Sequence, residues 1–275
     1  MRHLGPHGLR VTILASGSTG NATLFEARGT RVLVDGGVSP RALLRAMHAT
    51  SAGGRPQAIV LTHPHDDHLG YAPKLARDLR IPIYASQSTA RSLPFGGVEI
   101  RRYSPRDPFV FGALTFRPVP SPHDAANVAL VVDDGARRAG LATDLGEVTA
   151  SVADHLHDVD VLMIESNHDV EMLRRGTYPH FLKRRVLSAR GHLSNAQTHA
   201  LLRRLSPRTH AVVLMHLSRA NNTPELALES ARDALDAREV TIEAAPSFGV
   251  RCIDVAPRAL RSSEQLNLFA AHAAS

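Results

Sequence analysis

Four side chains of the kind that bind metal ions lie within six residues of one another, in the segment IVLTHPHDDH at residues 59–68. The apolar run that opens this segment is typical of a buried strand. On an extended chain, residues two apart point the same way, so His63 and His65 can offer their nitrogens to one ion. If a helix begins at Asp67, that side chain and His68 can turn toward a second ion. Mixed imidazole and carboxylate ligands suit Zn²⁺ or Mn²⁺ better than Mg²⁺ or Ca²⁺. A solvated polar loop is the alternative.

Six further polar blocks carry candidate site residues. Five of them stand where predicted strands end, the position that usually carries chemistry in layered α/β folds, and GHLSN stands just before a predicted helix. These blocks are SGSTGN (16–21), SPHDA (121–125), TDLG (143–146), ESNHD (165–169), GHLSN (191–195) and HLSRANN (216–222). The two glycines of the first block can present backbone amides to an anion, although a tight turn explains them equally well.

The H-x-H-x-D-H spacing of residues 63–68 is the signature of the metallo-β-lactamase superfamily, which the chain resembles from about Val11 to Val255. Together with the six blocks, this spacing makes the chain similar to the YycJ (WalJ) branch of bacterial DNA exonucleases. The resemblance implies an α/β fold, the four-layer αββα metallo-β-lactamase sandwich, in which two sheets face each other and helices cover both outsides. It also implies a single domain, because the path from Asp144 to His216 is too short for the inserted domain of β-CASP nucleases.

The resemblance further assigns ligands to two divalent metal ions per chain, either Mn or Zn. The first ion would be held by His63, His65 and His123. The second would be held by Asp67, His68 and His216, with Asp144 bridging the two. Neither His123 nor Asp144 has a local spacing signal of its own, so these two assignments depend on the family.

Two ions about 3.5–4 Å apart can share a water, lower its pKa and stabilise both oxygens of an in-line displacement. We therefore expect hydrolysis, with a hydroxide that bridges the ions as nucleophile. Phosphodiesters profit most, because their transition-state charge is spread over several oxygens. By resemblance to the tRNA-processing branch, Glu165 would orient His192, which would stabilise the phosphate or protonate the leaving oxygen. Asp67 completes the predicted catalytic residues. The alternative for His192 is an accessory role in capping the helix that follows it.

Several polar side chains in the same blocks are predicted to contact the substrate. Those in the first, fourth and fifth blocks are Ser16, Ser18, Asn21, Asn167, His168 and Ser194. Those that follow the last predicted ligand are Ser218, Arg219, Asn221 and Asn222.

The 275-residue chain has 32 Lys+Arg against 26 Asp+Glu, a net charge of +6. Because several acids are assigned to metals, the remaining surface is more basic than this sum, which favours a polyanionic partner such as DNA. All cationic residues except Lys74 and Lys183 are arginine, whose planar fork matches phosphate oxygens. A GC-rich genome would enrich arginine as well. With no Trp and few aromatics, no base-stacking platform is evident.

The N-terminal residues MRHLGPH lack the apolar core of a signal peptide, and no run of about 18 apolar residues could span a membrane. We therefore expect a cytoplasmic protein. The single cysteine, Cys252, cannot form an intrachain disulfide, and its strand-like surroundings predict a buried thiol. The sequence leaves the oligomeric state open.

Short-range patterns predict most elements around the site. Strands are expected at residues 11–15, 23–26, 31–34 and 59–61, and successive strands from 98 to 132. A helix should run from Pro40 to about His48, and an amphipathic helix from Leu69 to Arg80. Ser194 should open a capping box for the helix through Leu205.

The composition changes at Pro257, so we divide the chain into a nuclease domain, residues 1–256, and a flexible tail, residues 257–275. The tail contains QLNLF, which resembles the motif by which bacterial replication and repair proteins dock on the sliding clamp. The predicted clamp-binding residues are Gln265, Leu266, Leu268 and Phe269. The alternative is a short C-terminal helix that packs on the body.

The expected function is metal-dependent hydrolysis of phosphodiester bonds, as in an exodeoxyribonuclease. The resemblance implies 5′-to-3′ digestion of duplex DNA in post-replicative mismatch repair. An RNA-processing nuclease and a small-molecule thioesterase or lactonase of the same fold are the alternatives. The basic balance and the His192/Glu165 pair argue against a small-molecule enzyme, and no long Gly/Pro-rich arm for gripping tRNA is evident. A non-catalytic DNA-binding scaffold is disfavoured, because all seven ligand positions are present.

Overall fold

Two mixed seven-stranded sheets flanked by helices make up the described part of the chain. The computed structural model describes residues 8–48, 54–94, 96–236 and 238–255. The strands are β1 (Arg10–Ala15), β2 (Ala22–Ala27), β3 (Thr30–Val34), β4 (Ala58–Val60), β5 (Ile83–Ser86), β6 (Ile100–Tyr103), β7 (Phe109–Phe111), β8 (Leu114–Ser121), β9 (Asn127–Asp133), β10 (Arg138–Ala142), β11 (Val161–Glu165), β12 (Ala211–Met215), β13 (Thr241–Ala244) and β14 (Phe248–Asp254). The helices are α1 (Pro40–His48), α2 (Asp66–Leu69), α3 (Ala72–Leu79), α4 (Gln87–Ala90), α5 (Ala150–Leu156), α6 (Val170–Arg175), α7 (His180–Val186), α8 (Asn195–Leu202) and α9 (Pro224–Ala234). The predicted tail and its clamp motif lie outside the described residues.

The order of the strands gives two halves of the same design. The first sheet runs β14-β1-β2-β3-β4-β5-β6 and the second β13-β12-β11-β10-β9-β8-β7. A buried cluster that includes Val11, Phe25, Phe116 and Met163 joins strands of both sheets. Apolar side chains that alternate along these strands point into this shared core on one face and toward helices on the other. The predicted αββα sandwich is therefore confirmed.

Two further apolar clusters cover the outer faces of the sheets. Leu43 of α1 and Leu75 of α3 are buried with Ile59 against the first sheet. Val152 of α5 and Leu201 of α8 are buried against the second. Residues 145–215 hold β11, β12 and helices α5 to α8, without an inserted domain. This agrees with the single domain that was predicted.

The ends of parallel strands bring the polar blocks to one edge of each sheet. Strands β10, β11 and β12 are parallel neighbours, with Ala142 opposite Ile164 and Glu165 opposite Met215. Strands β3 and β4 are likewise parallel in the first sheet. Because parallel strands end on the same side, the segments that follow them meet there.

Two local predictions were wrong. The helix expected from Leu69 to Arg80 begins only at Ala72, because Leu69 ends the separate short helix α2. Between α2 and α3 the backbone of Gly36 supplies hydrogen bonds that a continuous helix would make internally. Its N–H donates to His68 O (2.6 Å), and its carbonyl accepts from Tyr71 N (2.9 Å). Cys252 was expected to be buried but is exposed, since β14 is an edge strand of the first sheet among the residues that the structure describes.

No helix in the described ranges is both long enough and apolar enough to cross a membrane.

Candidate metal centre

Three imidazoles from two segments form the first group of possible ligands. Ring nitrogens of His63, His65 and His123 lie within 4.8 Å of one another. His65 Nδ1 and His123 Nε2 are 3.3 Å apart, which is roughly the separation of two nitrogens on a tetrahedral ion with bonds of about 2.0–2.1 Å. His63 is fully buried, and its Nε2 has no hydrogen-bond partner among the described residues. A buried nitrogen without a partner is costly unless an ion uses it, so this group fits a metal.

The second group adjoins the first and adds carboxylates. One ligand atom from each of Asp67, His68, Asp144 and His216 lies within 4.8 Å of the others. The His68 ring centroid is 4.1 Å from that of His63, so the two groups are neighbours. His68 Nε2 lies 2.9 Å from Asp144 Oδ2, and His216 Nε2 lies 3.4 Å from Asp67 Oδ2. Two carboxylates and two imidazoles in this arrangement suit a divalent ion such as Zn²⁺ or Mn²⁺.

Residues with a left-handed backbone conformation turn the chain at the strand ends that carry the ligands. Asp144 and His216 have φ values of 58° and 56°, and Asp35 beside them has 62°. Such residues cost about 1–3 kcal/mol each and persist where the surroundings enforce them. Asn127 enforces the turn at Asp144, because its side-chain amide donates to the Asp144 carbonyl (2.7 Å). The strand ends turn sharply at these residues, and the ligands come next to each other.

The pKa shifts of His68 and His216 indicate that negative charge is concentrated at the second ligand group. Burial lowers the pKa of His68, but the carboxylates of Asp35 and Asp144 outweigh burial and raise this pKa to about 10. Burial also opposes protonation of His216, yet Asp144 and its other acidic neighbours raise the His216 pKa well above its ordinary value. Carboxylates that favour a proton on these rings stabilise a divalent cation in the same place.

Glu165 holds two histidine rings at once. The carboxylate is fully buried. Its Oε1 accepts from His192 Nδ1 (2.7 Å) and from His216 Nδ1 (3.1 Å). Its Oε2 accepts from the backbone amides of Leu145 (3.0 Å) and Leu193 (3.3 Å). Burial raises the pKa of Glu165, but the charge and hydrogen bond of His192 and the hydrogen bond of His216 together outweigh burial, so the net pKa is lowered. An ionised Glu165 therefore points the Nε2 atoms of both rings away from itself.

His192 lies between the two ligand groups. Its ring centroid is 5.5 Å from that of His123 and 5.4 Å from that of His216. Burial lowers the His192 pKa, but Glu165 outweighs burial and the net pKa is raised. Asp144, Glu165, His192 and His216 would also satisfy the distance requirement for a metal site. Glu165 already accepts four hydrogen bonds. The geometry therefore fits a hydrogen bond between Glu165 and His192 better than coordination of a metal ion by both residues.

Several side chains predicted to contact substrate have partners inside the protein. Ser16 Oγ accepts from His216 N (2.8 Å). Asn21 Nδ2 donates to Asp67 Oδ2 (3.2 Å) and lies 2.8 Å from His68 Nε2. Asn167 Nδ2 donates to the His216 carbonyl (2.8 Å). All three are buried, and each positions a candidate ligand.

The remaining predicted contacts divide into buried and exposed residues. Ser194 forms the predicted capping box with Gln197, and Asn222 exchanges two amide hydrogen bonds with Asn195 (2.9 and 3.0 Å). His168 is 1% exposed, and burial lowers its pKa to about 4. Asn221 is also buried, and Ser218 accepts from its backbone amide (3.2 Å). Ser18 and Arg219 are exposed.

Two carboxylates of this centre were not among the predicted site residues. Asp35 Oδ2 accepts from His68 Nδ1 (2.7 Å), and Asp35 is 3% exposed. Asp124 Oδ1 lies 3.2 Å from His65 Nε2 and also from His123 Nε2. Both residues stand in polar turns after strands, which was the signal used for the other candidates. Neither has a spacing that separates a ligand from a residue that orients one.

Comparison with known proteins decides the family. The sequence matches the Beta-lactamase superfamily domain over residues 30–217, which contain every ligand candidate described above. The chain belongs to this superfamily. It is 33% identical over 237 residues to Exodeoxyribonuclease YycJ of Bacillus anthracis, covering 83% of this chain and 90% of that protein. It is 34% identical over 234 residues to Exodeoxyribonuclease WalJ of Streptococcus pneumoniae, covering 80% and 86% respectively.

A solved structure supports the superfamily fold. The metallo-β-lactamase fold protein YhfI from Bacillus subtilis superimposes with a TM-score of 0.70, over 90% of this chain and all of that one, at 18% identity. The superfamily fold and the YycJ and WalJ relatives make this chain a metal-dependent hydrolase, as predicted.

Proposed function

We propose that this hydrolase is an exodeoxyribonuclease that uses two divalent ions, Mn²⁺ or Zn²⁺, to cleave phosphodiester bonds of DNA. The observation that carries the proposal is the likeness to YycJ and WalJ, which are named exodeoxyribonucleases and are matched over 90% and 86% of their length. A match of this extent reaches far beyond the ligand motif at residues 63–68. By the resemblance noted in the sequence, we extend the proposal to 5′-to-3′ digestion in DNA mismatch repair.

The ligands are assigned from the two groups of side chains. His63, His65 and His123 would hold the first ion. Asp67, His68 and His216 would hold the second, and Asp144 would be shared. Two ions bound there would supply an activated water and charge stabilisation for both oxygens of the displaced phosphodiester. The unpartnered Nε2 of His63 and the carboxylate-rich second group support this assignment.

His192 and Glu165 would handle the proton. Glu165 accepts from Nδ1 of His192, which leaves Nε2 of that ring for the substrate. The side chain of His192 is 25% exposed beside the ligand groups, so it can reach a bound phosphate. The raised pKa favours the protonated ring, which can stabilise a phosphate oxygen or protonate the leaving oxygen.

The test is cleavage by wild-type protein and by Asp144→Asn. Asparagine tolerates the left-handed backbone at this position, so the variant removes one charge without forcing a new fold. Asp133→Asn is the matched control. Asp133 is a buried carboxylate that pairs with Arg117. It lies at one end of β9, and Asn127, which contacts Asp144, lies at the other. We expect loss of DNA cleavage in Asp144→Asn and full activity in the control. Full nuclease activity of Asp144→Asn, purified free of host nucleases, would refute the assignment.

A panel of substrates separates the proposal from its rivals. End-labelled duplex DNA, single-stranded DNA, RNA, bis-p-nitrophenyl phosphate, nitrocefin and a thioester should be offered with Mn²⁺ and with Zn²⁺. The proposal expects duplex DNA to be degraded from the 5′ end. Preference for RNA would favour an RNA-processing nuclease, and turnover of nitrocefin or the thioester alone would favour a small-molecule hydrolase.

We also propose that the tail docks on the sliding clamp through Gln265, Leu266, Leu268 and Phe269. The proposal depends on the QLNLF sequence, in which two apolar anchors would fill a pocket and the glutamine would bond at its rim. A repair exonuclease gains processivity from such a tether. Clamp from the same organism should bind the full chain but not a variant lacking residues 264–275. Equal binding by both would eliminate the idea.

A further inference from the structure

Phe181 is a large aromatic side chain on the surface of the short helix α7. It is 67% exposed. Single exposed apolar residues are common and carry no function by themselves. Phe181 differs from such a residue in its position and in the positively charged side chains around it.

Phe181 stands one helical turn from Arg185, whose side chain reaches a carboxylate of the candidate metal centre. Residues four apart share one face of a helix and lie roughly 6 Å apart, so Phe181 and Arg185 are neighbours on α7. Arg185 Nε donates to Asp124 Oδ2 (3.0 Å). The other oxygen of Asp124 lies 3.2 Å from ring nitrogens of both His65 and His123. Phe181 is therefore the neighbour of a side chain that reaches the first ligand group.

The helix is held firmly against the centre. His192 N donates to the Val186 carbonyl (3.0 Å), and the Gly191 carbonyl lies 3.2 Å from His123 Nδ1. A Cβ atom at Gly191 would come within 2.3 Å of the Arg185 and Val186 carbonyls. The turn that leads from α7 to His192 is thus packed too closely for any other residue. The C-terminal end of α7, one turn after Phe181, is therefore fixed beside His123 and His192.

The surroundings of Phe181 are strongly basic. Residues 170–192 contain six Lys or Arg and one Glu, a net charge of +5 in a chain whose total is +6. Arg184 and Arg190 are exposed, and neither forms an ion pair with any part of the chain that the structure describes. Arg190 also lines a cavity of about 700 Å³ that His123 and Asp124 border. The positive charge therefore extends from α7 to the reaction centre.

We propose that α7 docks the DNA strand, with Phe181 stacked on a base next to the nucleotide being removed and with Arg184 and Arg190 on its phosphates. This inference rests on the proposed function. An exposed ring on a basic surface is the arrangement by which proteins hold single strands without reading their sequence. A second copy of the chain fits this face poorly, because two faces that each expose Arg184 and Arg190 without ion-pair partners among the described residues would repel each other. The scarcity of aromatics in the sequence concealed a stacking residue that the fold places beside the site.

The experiment compares DNA with a diester that has no flanking bases. Phe181→Ala should raise KM for DNA about tenfold or more and leave turnover of bis-p-nitrophenyl phosphate within about twofold of wild type. Phe181→Trp should restore the DNA KM, whereas Phe181→Leu, which is apolar but not aromatic, should not. Val110→Ala is the matched control. Val110 is 64% exposed, and its partner Thr115 lies six residues, about 20 Å, before Ser121 on β8.

A substrate carrying one abasic site at successive positions tests the stacking directly. When the abasic site lies at the position that contacts Phe181, this substrate should bind the wild type as weakly as intact DNA binds Phe181→Ala. The abasic site and Phe181→Ala combined should weaken binding no more than either change alone.

An unchanged DNA KM in an active Phe181→Ala enzyme would overturn the stacking role and leave the proposed function standing. Equal losses on DNA and on bis-p-nitrophenyl phosphate would also overturn it, as would a dimer that dissociates on Phe181→Ala in light scattering. Absence of DNA cleavage by the wild type would instead overturn the proposed function itself.

Discussion

Replacing Asp35 by asparagine should weaken metal binding without removing any ligand. Asp35 Oδ2 accepts from His68 Nδ1 at 2.7 Å, which directs His68 Nε2 toward the second ligand group. Asp35 Oδ1 accepts from the backbone amide of Thr62 at 2.9 Å. Asparagine has the same shape and tolerates the left-handed φ of 62° at this residue. The substitution therefore tests the charge of Asp35 and not its size.

The expected magnitude follows from the kind of hydrogen bond that is lost. A hydrogen bond to a charged group contributes about 1.5–3 kcal/mol, and about 1.4 kcal/mol is a factor of ten in affinity. Loss of a carboxylate that orients a metal-binding histidine typically costs about 10–100-fold in metal affinity. The two estimates agree. We expect the dissociation constant of the ion held by His68 to rise by about 10–100-fold in Asp35→Asn.

The assay is a chelator competition titration with Zn²⁺ and with Mn²⁺ on metal-free protein. Cleavage rates should recover at saturating metal, because all the ligands remain. Asp133→Asn controls for loss of a buried carboxylate away from the centre, and thermal unfolding in EDTA controls for folding. Metal affinity within about twofold of wild type, in a folded Asp35→Asn protein, would refute the orienting role of Asp35.

Three further changes probe the proton transfer and the substrate surface. His192→Ala should slow cleavage by about 10²-fold with both metals retained in elemental analysis, and a lost metal would make His192 a ligand. Because Glu165 raises the pKa of His192, a reaction that needs the protonated ring should decline only as pH rises through that raised pKa. Glu165→Gln should therefore move the decline to lower pH, and an unmoved pH–rate profile would contradict the proton role. Arg184→Gln should reduce the slope of log KM against log salt by about one. An unchanged slope would exclude a phosphate contact at that residue.

Local spacing was sufficient for residues that act from one short segment. The alternation of His63 and His65 on an extended chain, and the capping box at Ser194, are properties of neighbouring residues, so they can be read directly from the order of amino acids. The superfamily fold was predicted for the same reason, since its motif and strand ends are local patterns. The chain charge also indicated a polyanionic partner, but not where that partner would lie.

Tertiary structure decided which distant residues meet. His123, Asp144 and His216 stand in segments separated by tens of residues, and they converge because their strands end on one edge of the second sheet, which faces the first sheet. The hydrogen bonds of Glu165 to the rings of His192 and His216 depend on this convergence. Spacing in the sequence does not specify the distance between residues on separate strands. The exposure of Phe181 was likewise decided by packing. An isolated aromatic in a helix is compatible with a core or a surface position, and only the way the helix packs on the rest of the chain selects between them.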